Sequence, residues 1–199
     1  MSHFNYVREK LFIEKTSVLS IAKKNKTPFY LYSSKQIEEN YINFAKIFRN
    51  VNPLICFAAK ANTNLTIMRL LGKLGSGADV VSGGELLKAL KAGIKPNKIV
   101  FSGVGKTEDE LKLAIKNKIL LINVESESEA ILINKIGKKI NKIISIGFRI
   151  NPNVDSKTHK KISTGKSENK FGISIKNFSF FYKNIKQFKY LKINALSVH

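Results

Sequence analysis

The chain has 199 residues, of which 43% are hydrophobic, and this content is enough to bury a globular core. Its formal charge of +21 suggests a polyanion-binding surface, but lysines spread along the whole chain supply nearly all of it, so we attribute it mainly to genome composition. Its single cysteine, Cys56, excludes an internal disulfide, and the lack of a signal-like N-terminus or of an apolar run of ~18 residues predicts a cytoplasmic protein.

The first predicted element follows an N-terminal segment, residues 1–30, and is a helix. Ser33 and Gln36 have the spacing of a helix N-cap. Apolar side chains then recur at helical spacing at Ile37, Tyr41, Phe44 and Phe48. This pattern predicts an amphipathic helix ahead of the first strand.

From Leu54 onward a short β-rich run, a polar or glycine turn and a helix signal recur as a unit. The predicted strands begin at Leu54, Ala78, Lys98, Ile119, Ile144 and Ile193. Three of the intervening helices open with a Ser/Thr-x-x-Glu capping box, formed by Ser82 with Glu85, Thr107 with Glu110, and Ser126 with Glu129. Gly75 and Gly93 lie where helix C-caps are expected. The alternation predicts a parallel α/β domain.

Two parallel architectures fit such a pattern, a doubly wound sheet and a (β/α)8 barrel. A doubly wound nucleotide-binding sheet usually has a glycine-rich turn after its first strand, whereas this chain has KANTN at residues 60–64. The barrel is therefore favoured. A barrel needs eight strands and ~250 residues, and six strands are predicted up to His199, so we expect an incomplete barrel.

The stretch NPNVDSKTHKKISTGKSENKFGIS, residues 151–174, follows the fifth predicted strand and has no clear periodicity. It is rich in Asn, Ser, Lys and Gly, which predicts a long loop. Long loops at the carboxyl end of a barrel strand usually carry function. A disordered insertion is the alternative.

The carboxyl ends of barrel strands carry the functional side chains, and here they comprise Lys60, Asp79 to Glu85, Ser102 to Lys106, Asn123 to Ser126, Arg149 to Asn151, and His199. Lys60 ends an apolar strand, so its amine either extends to water or forms a Schiff base with an aldehyde cofactor. Asp79 lies in an apolar strand and needs a partner, which Lys60 or Arg149 could supply. Glu85 is already explained as a helix cap. No metal site is predicted, because one Cys and three scattered His give no ligand pair.

These residues lie in motifs that resemble the bacterial diaminopimelate decarboxylases, which are fold type III pyridoxal-phosphate enzymes. The resemblance runs from about Thr27 to His199. It rests on five stretches in register: CFAAKAN, GADVVSGGELLKALKAGI, IVFSGVGKTEDEL, INVESESEA and RINPNVDSKTHKKISTGKSENKFGI. Five stretches in the same order are highly specific.

The resemblance implies a partial pyridoxal-binding barrel of the alanine racemase-like type at residues 31–199, with about six of eight strands. It also implies a second β domain with which residues 1–30 associate. The cofactor would be pyridoxal 5'-phosphate, and Lys60 would be its catalytic Schiff-base lysine. The other cofactor-binding residues by resemblance are Asp79, Glu85, Arg149, Lys170 and His199. The loop around His159 to Lys170 is similar to the mobile active-site loop of the family.

The activity implied is decarboxylation of meso-2,6-diaminopimelate, a small amino acid, to L-lysine by a homodimer. In the family, a glycine-rich phosphate loop, a glutamate at the pyridine nitrogen and the substrate-binding residues follow the histidine that matches His199. We therefore expect little activity from this chain alone and a separately encoded C-terminal half as a partner. Two alternatives remain: a decarboxylase of ornithine, arginine or carboxynorspermidine, and a non-catalytic remnant that binds a polyanion. Nucleic acid and membrane partners are not expected.

Overall fold

The computed structural model describes residues 3–152, 154 and 171–199. The chain begins with a small antiparallel sheet of three strands, which are β1 (Phe4–Val7), β2 (Lys10–Ile13) and β3 (Thr16–Ser17), followed by helix α1 (Val18–Lys24). A two-residue turn at Arg8 and Glu9 joins the first two strands, and both residues have positive φ angles of 46° and 62°. This segment has its own sheet, and its association with a second domain stays a prediction.

The rest of the described chain is built around a parallel sheet. Its strands are β4 (Cys56–Ala58), β5 (Gly77–Val80), β6 (Ile99–Phe101), β7 (Leu121–Val124), β8 (Ile144–Asn151), β9 (Ile173–Ser174) and β10 (Leu191–Ser197). The order across the sheet is β10-β8-β7-β6-β5-β4, and β9 pairs with the end of β8. All six predicted strands are confirmed. Strand β9 was not predicted, because it has only two residues and lies in the stretch interpreted as a loop.

Helices connect the strands, and all but the first of them cover one face of the sheet. They are α2 (Ser34–Ile47), α3 (Leu65–Lys73), α4 (Gly83–Lys91), α5 (Glu108–Lys116), α6 (Glu127–Ile140) and α7 (Ile175–Lys183). The four predicted N-cap hydroxyls accept the backbone N–H three residues later at 3.1 to 3.3 Å, at Ser33, Ser82, Thr107 and Ser126. Gly75 and Gly93 follow the C-caps with φ of 100° and 88°, as predicted.

The core lies between the sheet and helices α3 to α7. Its largest fully buried side chains come from both layers and include Phe101, Phe148, Phe181, Met68, Leu86, Leu111 and Ile133. Helix α2 differs, because none of its residues is buried, and Phe44 and Phe48 are 49% and 39% exposed. Its predicted apolar stripe is present but only partly covered, since Ile37 and Tyr41 are half-buried and none of the stripe is fully buried.

Gly77 sets the spacing at the start of β5. A Cβ atom at this position would lie 2.2 Å from the carbonyl oxygen of Lys98 and 2.7 Å from Sγ of Cys56. Only glycine lets β5 lie so close to its two neighbours, β4 and β6, at this point. The carboxyl ends of these three strands are thereby held side by side.

Within the described residues, no helix has both the length and the apolar composition needed to cross a membrane.

Candidate active site at the carboxyl ends of the strands

A cavity of about 600 Å³ opens at the carboxyl ends of the parallel strands. We call it the strand-end cavity, and its polar lining residues are Cys56, Lys60, Asp79, Ser102, Asn123, Glu125, Arg149, Ser197 and His199. Four of the predicted site residues therefore meet in one place. Glu85 does not line the cavity. Lys170 and His159 lie outside the described residues.

Lys60 lies in a single 3-10 turn, Ala59–Ala61, directly after β4. Ala59 is fully buried in the core and fixes this turn, whereas the side chain of Lys60 is exposed toward the cavity. No hydrogen bond or ion pair joins its ammonium group to any described residue. The amine is therefore accessible to a molecule in the cavity.

The KANTN turn that follows is held in place by its own side chains. The Oδ1 atom of Asn62 accepts the N–H of Asn64 at 3.0 Å, and Asn64 caps helix α3 through the N–H of Thr66 at 2.8 Å. The ammonium group of Lys88 on α4 donates to Oγ1 of Thr63 at 3.0 Å. These contacts fix the backbone on which Lys60 is carried.

Asp79 is held by a chain of hydrogen bonds that crosses three strands. Its Oδ1 atom accepts from the Ser102 hydroxyl at 2.5 Å, and the Asn123 amide nitrogen donates to the same hydroxyl oxygen at 3.2 Å. Because an amide nitrogen only donates, the single proton of Ser102 is committed to Asp79. Asp79 is thus oriented as a carboxylate acceptor.

The expected partners of Asp79 were wrong. Neither Lys60 nor Arg149 forms an ion pair with it in the described part of the chain. Ser102 is its partner instead, because the next strand places that hydroxyl beside it. Arg149 pairs with Glu125, which was expected at a strand end but had no predicted role.

Glu125 and Arg149 form a buried ion pair. Nη1 of Arg149 lies 3.0 Å from Oε1 and 3.3 Å from Oε2 of Glu125, and the two side chains are 16% and 3% exposed. Oε1 of Glu125 also accepts the N–H of Gly103 at 3.2 Å. The guanidinium carbon of Arg149 also lies 5.4 Å from the centre of the Phe171 ring. Charge and packing thus fix the Arg149 guanidinium at the cavity.

A second buried ion pair lies beneath the loop between β6 and α5. Nζ of Lys106 is 2.7 Å from Oε1 of Glu129, and these side chains are 1% and 10% exposed. The same ammonium group donates to the carbonyl oxygens of Gly103 at 2.6 Å and Asn123 at 2.7 Å. Lys106 does not line the strand-end cavity. Lys106 therefore has a structural role. It fixes the loop that contains Gly103, and the N–H of Gly103 donates to Glu125.

Glu85 is engaged at the backbone. Its Oε2 atom accepts the N–H of Val81 at 2.9 Å, and its own N–H donates to the Ser82 hydroxyl. The Ser82 hydroxyl caps the helix as predicted, but the predicted reciprocal bond to the N–H of Ser82 is replaced by one to Val81, so Glu85 shapes the turn after β5. Its role toward a cofactor stays a prediction.

Cys56 and two unpartnered atoms complete the cavity wall. Burial raises the pKa of the Cys56 thiol to about 11, with the nearby Asp79 charge as a further cause, so the thiol is neutral. Oδ1 of Asn123 and Oγ of Ser197 are buried and have no hydrogen-bond partner among the described residues. Such atoms are costly unless a ligand or water satisfies them. They indicate that the cavity accommodates a polar molecule.

The donor set fits pyridoxal phosphate. The cavity presents an accessible amine for an aldehyde, a fixed cation for an anionic oxygen, a carboxylate, and the imidazole of His199. It does not present a metal site, since no group of three His, Cys, Asp or Glu side chains suitable for a metal occurs in the described part of the chain.

Comparison with known proteins agrees with this chemistry. The model of the pyridoxal-dependent decarboxylase family, pyridoxal binding domain, matches residues 34–199. The diaminopimelate decarboxylase of Aquifex aeolicus is 44% identical over 197 residues, which is 99% of this chain and 46% of that protein. The Helicobacter pylori (strain J99) enzyme of the same name is 49% identical over 174 residues, or 87% of this chain and 42% of that protein. The chain thus spans about half the length of the curated relatives it matches.

Comparison with solved structures also finds diaminopimelate decarboxylases. Diaminopimelate decarboxylase from M. jannaschii, in complex with L-lysine, superposes with a TM-score of 0.91 at 39% identity and covers 98% of this chain and 47% of that one. The H. pylori structure with L-lysine has a TM-score of 0.87 at 45% identity and covers 91% of this chain and 46% of that one. The predicted partial barrel of the α/β class is confirmed.

Proposed function

The chain belongs to the pyridoxal-dependent decarboxylases, and from that premise we propose that it is the cofactor-binding half of an enzyme that converts meso-2,6-diaminopimelate to L-lysine. The observation that carries this proposal is the accessible amine of Lys60 in a cavity shared with Asp79, Arg149 and His199. The cofactor of the family is pyridoxal phosphate.

Each residue has a distinct task in this proposal. Lys60 would hold the cofactor covalently through its amine. Arg149 would bind an anionic oxygen of the cofactor, and His199 would contribute to holding its ring. Asp79 would present a hydrogen-bond acceptor to the cavity, because the Ser102 hydroxyl donates to it and Asn123 fixes that hydroxyl. Glu85 and Lys170 remain proposed members of the same cofactor-binding set.

When bound, the cofactor supplies an electron-withdrawing ring that accepts the electron pair left by carbon dioxide. The chain supplies binding and orientation. Burial raises the pKa of the Cys56 thiol to about 11, so this thiol is not ionised. A neutral thiol is a poor nucleophile and does not compete with the amine of Lys60 for the aldehyde.

The names of the relatives favour diaminopimelate over other basic amino acids. Relatives at 39 to 49% identity carry that name. The structures of a viral arginine decarboxylase and of a Vibrio vulnificus lysine/ornithine decarboxylase are only 22% and 16% identical, so they share the fold and say nothing about substrate. A decarboxylase of ornithine, arginine or carboxynorspermidine is the second candidate for the substrate.

Full activity in this proposal needs the part of the enzyme that this chain does not carry. The relatives are about twice as long as the aligned region. Strands β4 and β10 are each paired on one side only among the described residues, which leaves two edges that further strands could join. We propose that a carboxyl-terminal half completes the barrel, that the complete enzyme is a homodimer and that it acts in the cytoplasm.

Covalent trapping tests the cofactor site. The chain is incubated with pyridoxal phosphate, borohydride makes any attachment permanent, and peptide mass spectrometry locates it. We expect Lys60 to be labelled at lower cofactor concentration than the exposed Lys91, and Lys60→Ala to lose only that site. Equal labelling of Lys60 and Lys91 would refute the assignment.

Turnover tests the substrate. The carboxyl-terminal half of the H. pylori relative is supplied as a second chain, and carbon dioxide release is measured with meso-diaminopimelate, ornithine and arginine. We expect release with diaminopimelate only. Release with ornithine or arginine at a similar rate would favour the second candidate.

A further inference from the structure

Two buried carboxylates lie close together at the start of α6 and differ in what they hold. Glu125 pairs with Arg149, which lines the strand-end cavity, and Glu129 pairs with Lys106, which does not. Both pairs are almost fully buried. The first pair therefore acts at the cavity. The second pair supports the first, because Oε2 of Glu129 accepts the N–H of Glu125 at 2.9 Å and Lys106 donates to the carbonyl oxygen of Gly103.

Glu125 joins three separate parts of the fold. Both of its oxygens contact Nη1 of Arg149 on β8, and Oε1 also accepts the N–H of Gly103 in the loop after β6. Glu125 itself directly follows β7. Since its side chain is only 3% exposed, its position is fixed by these contacts.

Arg149 has further contacts besides Glu125. The centre of the Phe171 ring lies 5.4 Å from its guanidinium carbon. Gly172, whose φ is +78°, packs tightly on the backbone of Arg149. A Cβ atom at Gly172 would lie 2.7 Å from the carbonyl oxygen of Arg149. An arginine has many rotamers, and fixing it before a ligand arrives lowers the entropy cost of binding.

We propose that Glu125 is a positioning residue of the cofactor site, which holds the Arg149 guanidinium in the orientation that binds an anionic oxygen of pyridoxal phosphate. This inference rests on the proposed function of the cavity. Glu125 acts through Arg149 and does not itself bind the cofactor.

Positioning and charge have opposite consequences. If Glu125 served only to neutralise Arg149, then its removal would leave a stronger cation and tighter binding of an anion. If it positions Arg149, its removal frees a long side chain to turn toward solvent, and the anion is bound more weakly. Charge-assisted hydrogen bonds of this kind justify an expected loss of about tenfold.

The test compares Glu125→Gln with Glu110→Gln. The two changes are identical in size, and Glu110 is a matched control because its carboxylate accepts the N–H groups of Gly83 and Thr107 and does not line the cavity. The readout is the concentration of pyridoxal phosphate that half-saturates trapping at Lys60. We expect this concentration to rise about tenfold for Glu125→Gln and less than twofold for Glu110→Gln. Equal effects, no effect, or tighter binding in Glu125→Gln would overturn the proposal.

A double-mutant cycle tests whether Glu125 acts through Arg149. Arg149→Gln is made alone and together with Glu125→Gln, and the same half-saturating concentration is measured. We expect Glu125→Gln to have no further effect once Arg149 is absent. Additive effects of the two changes would mean that Glu125 acts by another route and would overturn the proposal.

A measurement without cofactor separates this inference from the proposed function. The chain has four arginines, and Arg8, Arg49 and Arg69 are exposed, so the ¹⁵N signals of the Arg149 guanidinium are identifiable. We expect slow rotation of this group in the wild type and in Glu110→Gln, and fast rotation in Glu125→Gln. Slow rotation in Glu125→Gln would overturn positioning even if trapping at Lys60 fails, whereas failed trapping with the expected rotation would refute only the proposed function.

Discussion

Lys60 and Lys106 both lie shortly after a three-residue parallel strand, yet their surroundings are opposite. The ammonium group of Lys106 has three acceptors at 2.6 to 2.7 Å and its side chain is 1% exposed. Lys60 is exposed at a cavity and has no partner among the described residues. A lysine can be buried only where acceptors replace its water. The local acceptors therefore decide whether a lysine supports the fold or stays available for chemistry.

The largest effect is expected at Lys106. Lys106→Met leaves Glu129 as a buried charge without its partner and removes a donor from two carbonyl oxygens. Breaking a buried pair in this way costs about 3 to 5 kcal/mol of unfolding free energy. Urea denaturation measures this loss, with Lys91→Met as the exposed control. A loss below about 1 kcal/mol would show that this pair does not stabilise the fold.

A smaller loss of stability, which depends on pH, is expected at Glu110 in the first turn of helix α5. The N–H groups of Gly83 and Thr107 donate to its carboxylate and hold its pKa below the usual 4.5. A lowered pKa means that the stabilisation is complete above the unfolded-state pKa and is lost as pH falls through the folded-state pKa. We expect Glu110→Gln to cost about 1 kcal/mol at pH 7 and little at pH 3.

Urea denaturation at both pH values checks this expectation. Asp109→Asn is the matched control, because that side chain is 95% exposed and its replacement should change stability little. A cost of Glu110→Gln that stays constant between the two pH values would contradict the role given to the ionised carboxylate.

The smallest effect on stability is expected at Lys60. Lys60→Met removes an exposed ammonium group that contacts no described partner, so the unfolding free energy should change by less than about 0.5 kcal/mol. The same variant should lose specific trapping of pyridoxal phosphate. A loss of stability similar to that of Lys106→Met would remove the contrast between the two lysines.

The sequence predicted the parts of the fold that depend on neighbouring residues. The strands are short apolar runs and the helix caps are contacts across three residues, so both leave a local pattern, as at Ser82 with Glu85. The meeting of Lys60, Asp79, Arg149 and His199 was predicted as well, because the carboxyl ends of barrel strands share one face.

The pairing inside the site could not be predicted in this way. Glu125 lies 24 residues from Arg149, and Asp79 lies 23 from Ser102, so neither contact leaves a periodic signal. Which side chains meet depends on the register between strands. Helix α2 shows the same limit, since its apolar stripe predicts a buried face but does not say what covers it.

The raised pKa of Cys56 has a practical consequence for handling the protein. With a pKa of about 11, roughly one thiol in ten thousand is ionised at pH 7. Alkylation and air oxidation both proceed through the thiolate, so this single cysteine should be inert to iodoacetamide and should not cross-link molecules through disulfides during storage. Samples can therefore be kept without a reducing agent, which would otherwise react with the aldehyde of pyridoxal phosphate.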